Sequence, residues 1–289
     1  MKVYEYARIR GVKSRDVVRK LKELGYKHVK NHLSLVPEKI IPDLDLMEIA
    51  SIKKKEKPKP KLSVIVSLEC APFKKEGIGD LVYQKLRYCS LDENQAIVIM
   101  PRYHLDSQIL ERAYDLVIEV NHNEYPVSIY QTTYKGNLFF FIANPLFERD
   151  LIYGYVDDPI RFAIFTKASV EVIKRMTTPI DIINIHDWPL GFFPLLFEEE
   201  YNNANKPLIE FSVYGPTYQG IYGVEVLIDV FGLDKKYFYD NHLAEYAHSV
   251  NFLKTGLVTC DMLDVDTPVL ELLRSSYLRE FIYDNKLKH

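Results

Sequence analysis

"SLECAPFKKEGIGDLVYQKL", residues 67–86, governs how the rest of the chain is read. An apolar run, "LSVIVSLE" (62–69), leads into it, and an amphipathic run leaves it. The first reads as a buried strand, the second as a helix from about Gly79 to Tyr88. Between them stand Lys74, Lys75, Gly77, Gly79 and Asp80. A glycine turn joining a strand to a helix lets backbone N–H groups approach an anion, and the helix dipole favours negative charge there. Lys75 would add a point charge. "KKEGIGD" matches neither the phosphate-loop nor the dinucleotide pattern. Taken alone, it also reads as a plain strand-to-helix turn.

Outward from this stretch the alternation continues. "QAIVIMP" (95–101), "FFFIAN" (139–144), "IDIINIHDW" (180–188) and "LIEFSVYG" (208–215) read as strands. "PIRFAIFTKASVEVIKRM" (159–176) reads as a helix with Pro159 in its first turn. "HLAEYAHSVNFLKTGLVTCD" (242–261) reads as one long helical run. Strands separated by helices predict an α/β fold with a doubly wound, mainly parallel sheet and right-handed crossovers. Ligands of such sheets bind beyond the carboxyl ends of the strands. "IHDWP" (185–189) puts His186 and Asp187 at one such end, as a functional pair or as a local cap with Trp188 packed beside it. "YGYVDDPIRF" (153–162) holds Asp157, Asp158 and Arg161. Paired carboxylates can bind metal or do acid–base work. Ahead of Pro159 they predict helix capping, with Arg161 tying them down.

Charge divides the chain. Residues 1–62 carry 17 Lys and Arg against 8 Asp and Glu, a net of +9, whereas the remainder carries 20 against 32, a net of −12. The split predicts two units with different partners. Residues 1–45 read as a small helical module. "VYEYARIRGV" is a short helix ending near Gly11; "KSRDVVRKLKELG" is a second, with Ser14 as N-cap, Val17, Val18, Leu21 and Leu24 at helical spacing, and Gly25 as its stop. Residues 46–61 form a linker, in which the Lys and Pro of "IKKKEKPKPKL" (52–62) exclude helix and central strand. Residues 62–289 form the α/β body.

With 47% hydrophobic residues, the chain can bury a sizeable core, which excludes global disorder. No apolar run reaches about 18 residues, so no membrane span is expected. "MKVYEYARIR" has no secretory apolar region, and a cytoplasmic protein is expected. Cys70, Cys89 and Cys260 are widely spaced with no C-x-x-C. That argues against a zinc site and for reduced thiols, so no metal is assigned.

Six segments, in order over some 210 residues, resemble the N-terminal catalytic domain of bacterial glycogen synthases and plant starch synthases, glycosyltransferase family five. "ECAPFKKEGIGDLV" resembles E-x-A-P-[FY]-x-K-[TS]-G-G-L-[GA]-D-V, and "VIMPRY" (98–103) resembles V-x-x-x-x-P-x-Y. "YGYVDDPIRFAIFTKASVEVI" is similar to Y-G-x-x-D-[DN]-x-x-R-F-x-x-F-x-x-A, and "IDIINIHDW" to P-D-[IV]-[IV]-H-x-H-D-W. "TYQGIYGVEVLIDVFGLDKKYF" carries the A-Y-Q-G element, and "VNFLKTGLVTCD" resembles N-F-L-K-[AG]-G-[IL]-x-x-[AS]-D. The resemblance implies one Rossmann-like half of a GT-B fold, whose family moves glucose from ADP-glucose to an α-1,4-glucan with retention of configuration. It implies ADP-glucose as a ligand, with no other cofactor. It places Lys75, Gly77, Gly79 and Asp80 near the donor diphosphate and sugars, and His186 near the transferred glucose. Tyr218 and Gln219 would flank the cleft, with Asp187 and Trp188 beside it. His186 and Asp80 would be the catalytic positions.

The departures are specific. "EG" replaces "TGG" in the loop, so a glycine is lost and Glu76 stands where a carboxylate repels a dianion. H-D-W-H has become "HDWP" with Pro189. H-N-x-A-Y-Q-G has become "YGPTYQG", with Tyr214 and Gly215 for His-Asn. [TS]-V-S-P-x-[YF] has become "DVDTPVL". A chain ending at His289 leaves no room for the second GT-B domain, which supplies half of such a site. The expectation is therefore a half-cleft that does not transfer glucose alone and acts as an α-glucan- or nucleotide-sugar-binding or regulatory protein. One alternative is an active transferase completed by a separate chain bearing the second domain.

Residues 3–40 resemble a second family, the small N-terminal domain of bacterial translation initiation factor two, through "VYEYARIRGVKSRDVVRKLKELG" and "HLSLV" (32–36). With Arg8, Arg10, Lys13, Arg15, Arg19, Lys20 and Lys22, the module reads either as a solvated face or as a contact for RNA or the ribosome. The latter is the adaptor alternative.

Overall fold

The computed structural model describes residues 1–10, 12, 14–41, 44, 61–74, 76–91, 94–104, 109–201 and 205–288. Lys13, Lys75 and the linker residues 46–60 lie outside the described residues. The chain divides into two units, Met1–Lys59 and Pro60–His289.

The first unit has α1 (Val3–Arg10) and α2 (Ser14–Glu23) around a core of Val3, Tyr6, Ala7, Val12, Val17, Leu21, Val29 and Val36. Ser14 is the first residue of α2. Gly25 takes φ +91°, and the Tyr26 N–H donates to the Leu21 carbonyl at 3.0 Å. This left-handed turn closes the helix, and glycine adopts it without steric cost. Arg15, Arg19 and Lys22 stand exposed at i, i+4 and i+7, on the face away from Val17 and Leu21.

The second unit is built on an eight-stranded sheet. In chain order its strands are β1 (Leu62–Val66), β2 (Gln95–Pro101), β3 (Glu111–Val120), β4 (Asn123–Tyr134), β5 (Asn137–Ala143), β6 (Ile182–His186), β7 (Leu208–Ser212) and β11 (Met262–Asp264). Their spatial order is β11-β7-β6-β1-β2-β5-β4-β3. The six from β11 to β5 run parallel; β4 and β3 are antiparallel. Its longer helices are α3 (Gly79–Cys89), α4 (Asp158–Lys174), α5 (Phe193–Glu200), α6 (Phe252–Thr259) and α7 (Thr267–Ser275), with a single helical turn at Lys236–Tyr239. The α/β, mainly parallel architecture is therefore as expected. Among the described residues no helix is long and apolar enough to cross a membrane.

Two regions go beyond or depart from the sequence expectation. Residues 111–134, to which it assigned no element, form a long hairpin with a two-residue turn at Asn121–His122; Lys135–Gly136 turns β4 into β5, and all four turn residues are at positive φ. Such turns match the strand twist. Residues 242–261 are not one helix. Glu245–Tyr246 (β9) and Ser249–Asn251 (β10) join Ile221–Tyr222 (β8) in a small antiparallel sheet. The chain reverses at Ala247 and His248, at φ +50° and +63°. Asn251 then caps α6 by accepting the Lys254 N–H at 2.9 Å.

β1 sits in the middle of the sheet. From it the chain passes to β2, goes to the sheet edge at β3 and returns inward through β4 to β5 beside β2, then crosses to β6 on the other side of β1 and builds outward through β7 to β11. The carboxyl ends of β1 and β6 therefore flank a topological switch point, where open sheets present a crevice.

Candidate functional site

At this crevice the residues after three strands converge. A cleft of about 350 Å³ is lined by Glu69, Gly77 and Ile78 after β1, Tyr153 before α4, Asp187 and Trp188 after β6, and Tyr214, Gly215, Thr217 and Tyr218 after β7. Its floor is acidic and its walls are aromatic.

The loop after β1 is organised by Glu69. This carboxylate is 1% exposed and accepts two backbone N–H groups, from Gly77 at 2.8 Å and Ile78 at 3.0 Å. The glycine turn does gather N–H donors, but an internal carboxylate already holds two of them. Close approach explains the glycines: a Cβ on Gly77 would lie 2.8 Å from Glu69 Oε1, and one on Gly79 would lie 2.4 Å from the Lys74 carbonyl. Lys74 pairs with Glu76 and lies over the Tyr103 ring at 4.8 Å.

His186 and Asp187 are consecutive yet separated. Asp187 adopts φ +67° and ψ +169°, a region that non-glycine residues occupy at a cost of order 1–3 kcal/mol. Its N–H donates to the Ser212 carbonyl at 2.8 Å, holding the turn. The Asp187 side chain lines the cleft. Burial pushes its pKa up to about 6; the Trp188 backbone N–H opposes that rise and the Glu69 charge adds to it. His186 is 1% exposed and does not line the cleft. Its Nδ1 shares a 2.8 Å hydrogen bond with the Tyr214 hydroxyl. Among the described residues its Nε2 has no hydrogen-bond partner. Burial lowers its pKa to about 3, helped by Lys85 and opposed by Asp264. The ring is neutral across the physiological range.

The remaining predicted positions divide. Gly77, Asp187, Trp188 and Tyr218 line the cleft together, with Tyr218 73% exposed. Gly79 is buried beneath the loop, and Asp80 stands exposed in the first turn of α3, away from the cleft lining. Gln219 is buried; its Nε2 donates to the Pro216 carbonyl and its Oε1 accepts from Asn251, so it holds the loop. Lys75 lies outside the described residues. Asp157 and Asp158 are structural: Arg149 grips Asp157 at 2.6 and 2.7 Å, and buried Arg161 pairs with buried Asp158 at 2.5 Å. Asp158 also accepts the Gly154 and Tyr155 N–H groups. Sequence reasoning missed Glu69 and Tyr153, although both stand inside quoted motif segments.

Residues 64–269 match the family model of the starch synthase catalytic domain. The chain belongs to that family. A glycogen synthase of Clostridioides difficile (strain 630) is 34% identical over 217 residues, 70% of this chain and 45% of the relative. One from Geobacillus stearothermophilus is 29% identical over 225 residues, 73% and 46% of the two chains. This starch synthase-type chain thus spans about half the length of the curated relatives it matches. In fold it is similar to the catalytic domain of starch synthase IV from Arabidopsis thaliana bound to ADP and acarbose. That likeness has a TM-score of 0.67 at 22% identity and covers 79% of this chain and 50% of that one. The body is accordingly a glycogen/starch synthase-like catalytic domain of Rossmann-like, GT-B type.

Proposed function

We propose that the cleft binds glucose units of an α-glucan, and that this domain by itself does not transfer glucose from a nucleotide sugar. The observation that carries the proposal is the cleft lining, in which the Tyr153, Trp188, Tyr214 and Tyr218 rings stand beside the Glu69 and Asp187 carboxylates. With Asp187 also lining the cleft, an entering dianion meets carboxylates at close range, where like charges repel. Sugar hydroxyls are hydrogen-bond donors that carboxylates accept, and the Tyr153, Trp188, Tyr214 and Tyr218 rings offer apolar faces to sugar C–H groups. Transfer also needs a donor aligned by positioned charges, worth about 7–11 kcal/mol of the barrier. His186 is buried and neutral, and Asp80 lies outside the lining.

Trp188 is the single tryptophan and a wall of the cleft, so its fluorescence reports occupancy. Maltotriose is expected to change it at concentrations where ADP-glucose does not. A tighter response to ADP-glucose, or none to maltotriose, would overturn the binding reading. Radiolabelled transfer to glycogen, against a full-length glycogen synthase control, should show no turnover. Activity within about a hundredfold of the control would overturn the second half of the proposal.

The head supports a separate reading, contact with RNA, through the exposed Arg15, Arg19 and Lys22 of α2. Binding of the full chain to RNA should weaken with salt, and the R15E/R19E/K22E variant should flatten that dependence. Equal slopes for the two proteins would sink it.

A further inference from the structure

His186 ends β6 in register with Ser212 of β7, and Tyr214 follows two residues after Ser212. Tyr214 is half-buried and lines the cleft; His186 is buried and does not. The backbone is tied on both sides of the pair. The Asp187 N–H donates to the Ser212 carbonyl at 2.8 Å, and the Val213 N–H donates to the Asp264 carbonyl at 3.1 Å. Tyr214 stands where the family pattern has histidine, so the pairing of these two rings belongs to the chain's departure from that pattern.

Nδ1 of His186 and the Tyr214 hydroxyl are 2.8 Å apart. The ring planes lie within 16° of each other with centroids 6.0 Å apart, so the rings meet end to end rather than face to face. Among the described residues the hydroxyl has no second hydrogen-bond partner. The other nitrogen decides which group donates. The imidazole is neutral, so one nitrogen alone carries hydrogen. If Tyr214 donated to Nδ1, that hydrogen would sit on Nε2, which is buried and unpaired among the described residues. Asn184 Oδ1 lies two residues back on the same face of β6. It too is buried and unpaired among the described residues, so it takes nothing from Nε2. A buried N–H with no acceptor is a rarer feature of folded proteins than an acceptor left short of a donor. The hydrogen therefore belongs on Nδ1.

We infer that His186 is a positioning residue of the cleft: its Nδ1–H donates to the Tyr214 hydroxyl oxygen, which leaves the Tyr214 O–H to donate to an oxygen of a bound sugar. This rests on the glucan reading of the cleft. The strand-end histidine touches no ligand and acts through the tyrosine, which becomes a donor of fixed direction opposite the accepting carboxylates of Glu69 and Asp187. Proton–nitrogen correlation NMR of the isotope-labelled full chain reads the tautomer directly, with His186→Asn identifying the signals. Hydrogen on Nδ1 is expected; hydrogen on Nε2 would overturn the inference. Trp188 fluorescence then measures the consequence for maltotriose. Tyr214→Phe should weaken binding about fivefold. His186→Gln, whose amide falls nearer the Nε2 position, should do the same, and the double variant should be no weaker than either single one. His186→Asn, which returns an N–H at the Nδ1 position, should restore affinity to within about twofold of the wild type. A merely structural histidine would make the two losses add, or leave Asn no better than Gln, and either result would overturn the inference. If the wild type gives no response to maltotriose, the glucan reading fails instead, and the tautomer then decides the arrangement of the pair on its own.

Discussion

Beneath α3, one face of the sheet is apolar on one side and polar on the other. Toward β2 and β5 it presents Ala96, Val98, Met100, Phe139 and Phe141, in register and buried. Toward β6, β7 and β11 the same face presents Asn184, His186, Glu210, Ser212 and Asp264. α3 spans both, with Val82 and Leu86 buried and Lys85 reaching Glu210 and Asp264. The opposite face of the sheet is apolar throughout these strands, with Ile183, Ile185, Ile209, Phe211 and Leu263. The apolar side gains stability from burial. The polar side gives up part of that gain to desolvation and needs partners for each charge. The cleft lined by Glu69 and Asp187 opens at the carboxyl end of the polar half, and the apolar half supplies stability that offsets the cost of that polarity.

The largest effect should come from the apolar half. Phe141 is fully buried against Phe73 and Phe139, and Phe141→Ala should lower urea stability by about 3–5 kcal/mol. Next is Glu210→Ala, which removes the buried carboxylate that Lys85 and Lys288 share and leaves Lys85 with Asp264; it should cost about 3 kcal/mol. Lys85→Met combined with Glu210→Leu should recover all but about 1 kcal/mol, because a well-packed apolar pair can replace a buried ion pair. A double variant no better than the single would show that the charges themselves hold this half together.

The third prediction concerns the two neighbours at the strand end. Unfolded, His186 binds its proton below about 6.5, but folded it stays neutral down to about 3. Its contribution to stability is therefore lost as pH falls through that window. Asp187 acts oppositely: folded, it keeps its proton up to about 6, against 3.8 ordinarily, so acid favours the folded form between those values. Over the shared range the two slopes, each about 1.4 kcal/mol per pH unit, cancel. Asp187→Asn should unmask the histidine, with stability dropping roughly 2–3 kcal/mol more than wild type between pH 6.5 and 4. Parallel curves for the two proteins would refute this. The smallest effect belongs to the exposed pair Arg112–Asp115 on β3, 2.7 Å apart. Arg112→Ala should change stability by less than about 1 kcal/mol.

The parallel core was legible because β1, β2, β5, β6 and β7 are short apolar runs separated by helical periods, a pattern set by burial on both faces. The β3–β4 hairpin was not. Its turns use Asn121 and His122 at positive φ, without the glycine that signals such a turn. Residues 242–261 have helical apolar spacing, but the left-handed pair Ala247–His248 and the Asn251 cap break it into a hairpin and a shorter helix. At the site, strand-end placement marked Asp187 and Trp188. It did not distinguish Asp187 from His186, because the strained turn at Asp187 is a backbone event. Glu69 was overlooked because an acidic residue ending an apolar strand carries no signal of which amides it will meet eight and nine residues later.

The central position of β1 has a consequence for synthesis. Val66 pairs with Ile99 on one side and Ile185 on the other. A chain growing from its N-terminus at about 5–20 residues per second completes β1 roughly 6–24 s before the far end of β6 exists. Throughout that interval the most hydrophobic strand of the body has an open edge, the condition under which nascent chains self-associate. The head, whose helices pair within the first 40 residues, can fold during the same interval. A folded, positively charged module thus stands ahead of β1 in the emerging polypeptide while the sheet waits for its middle to be completed.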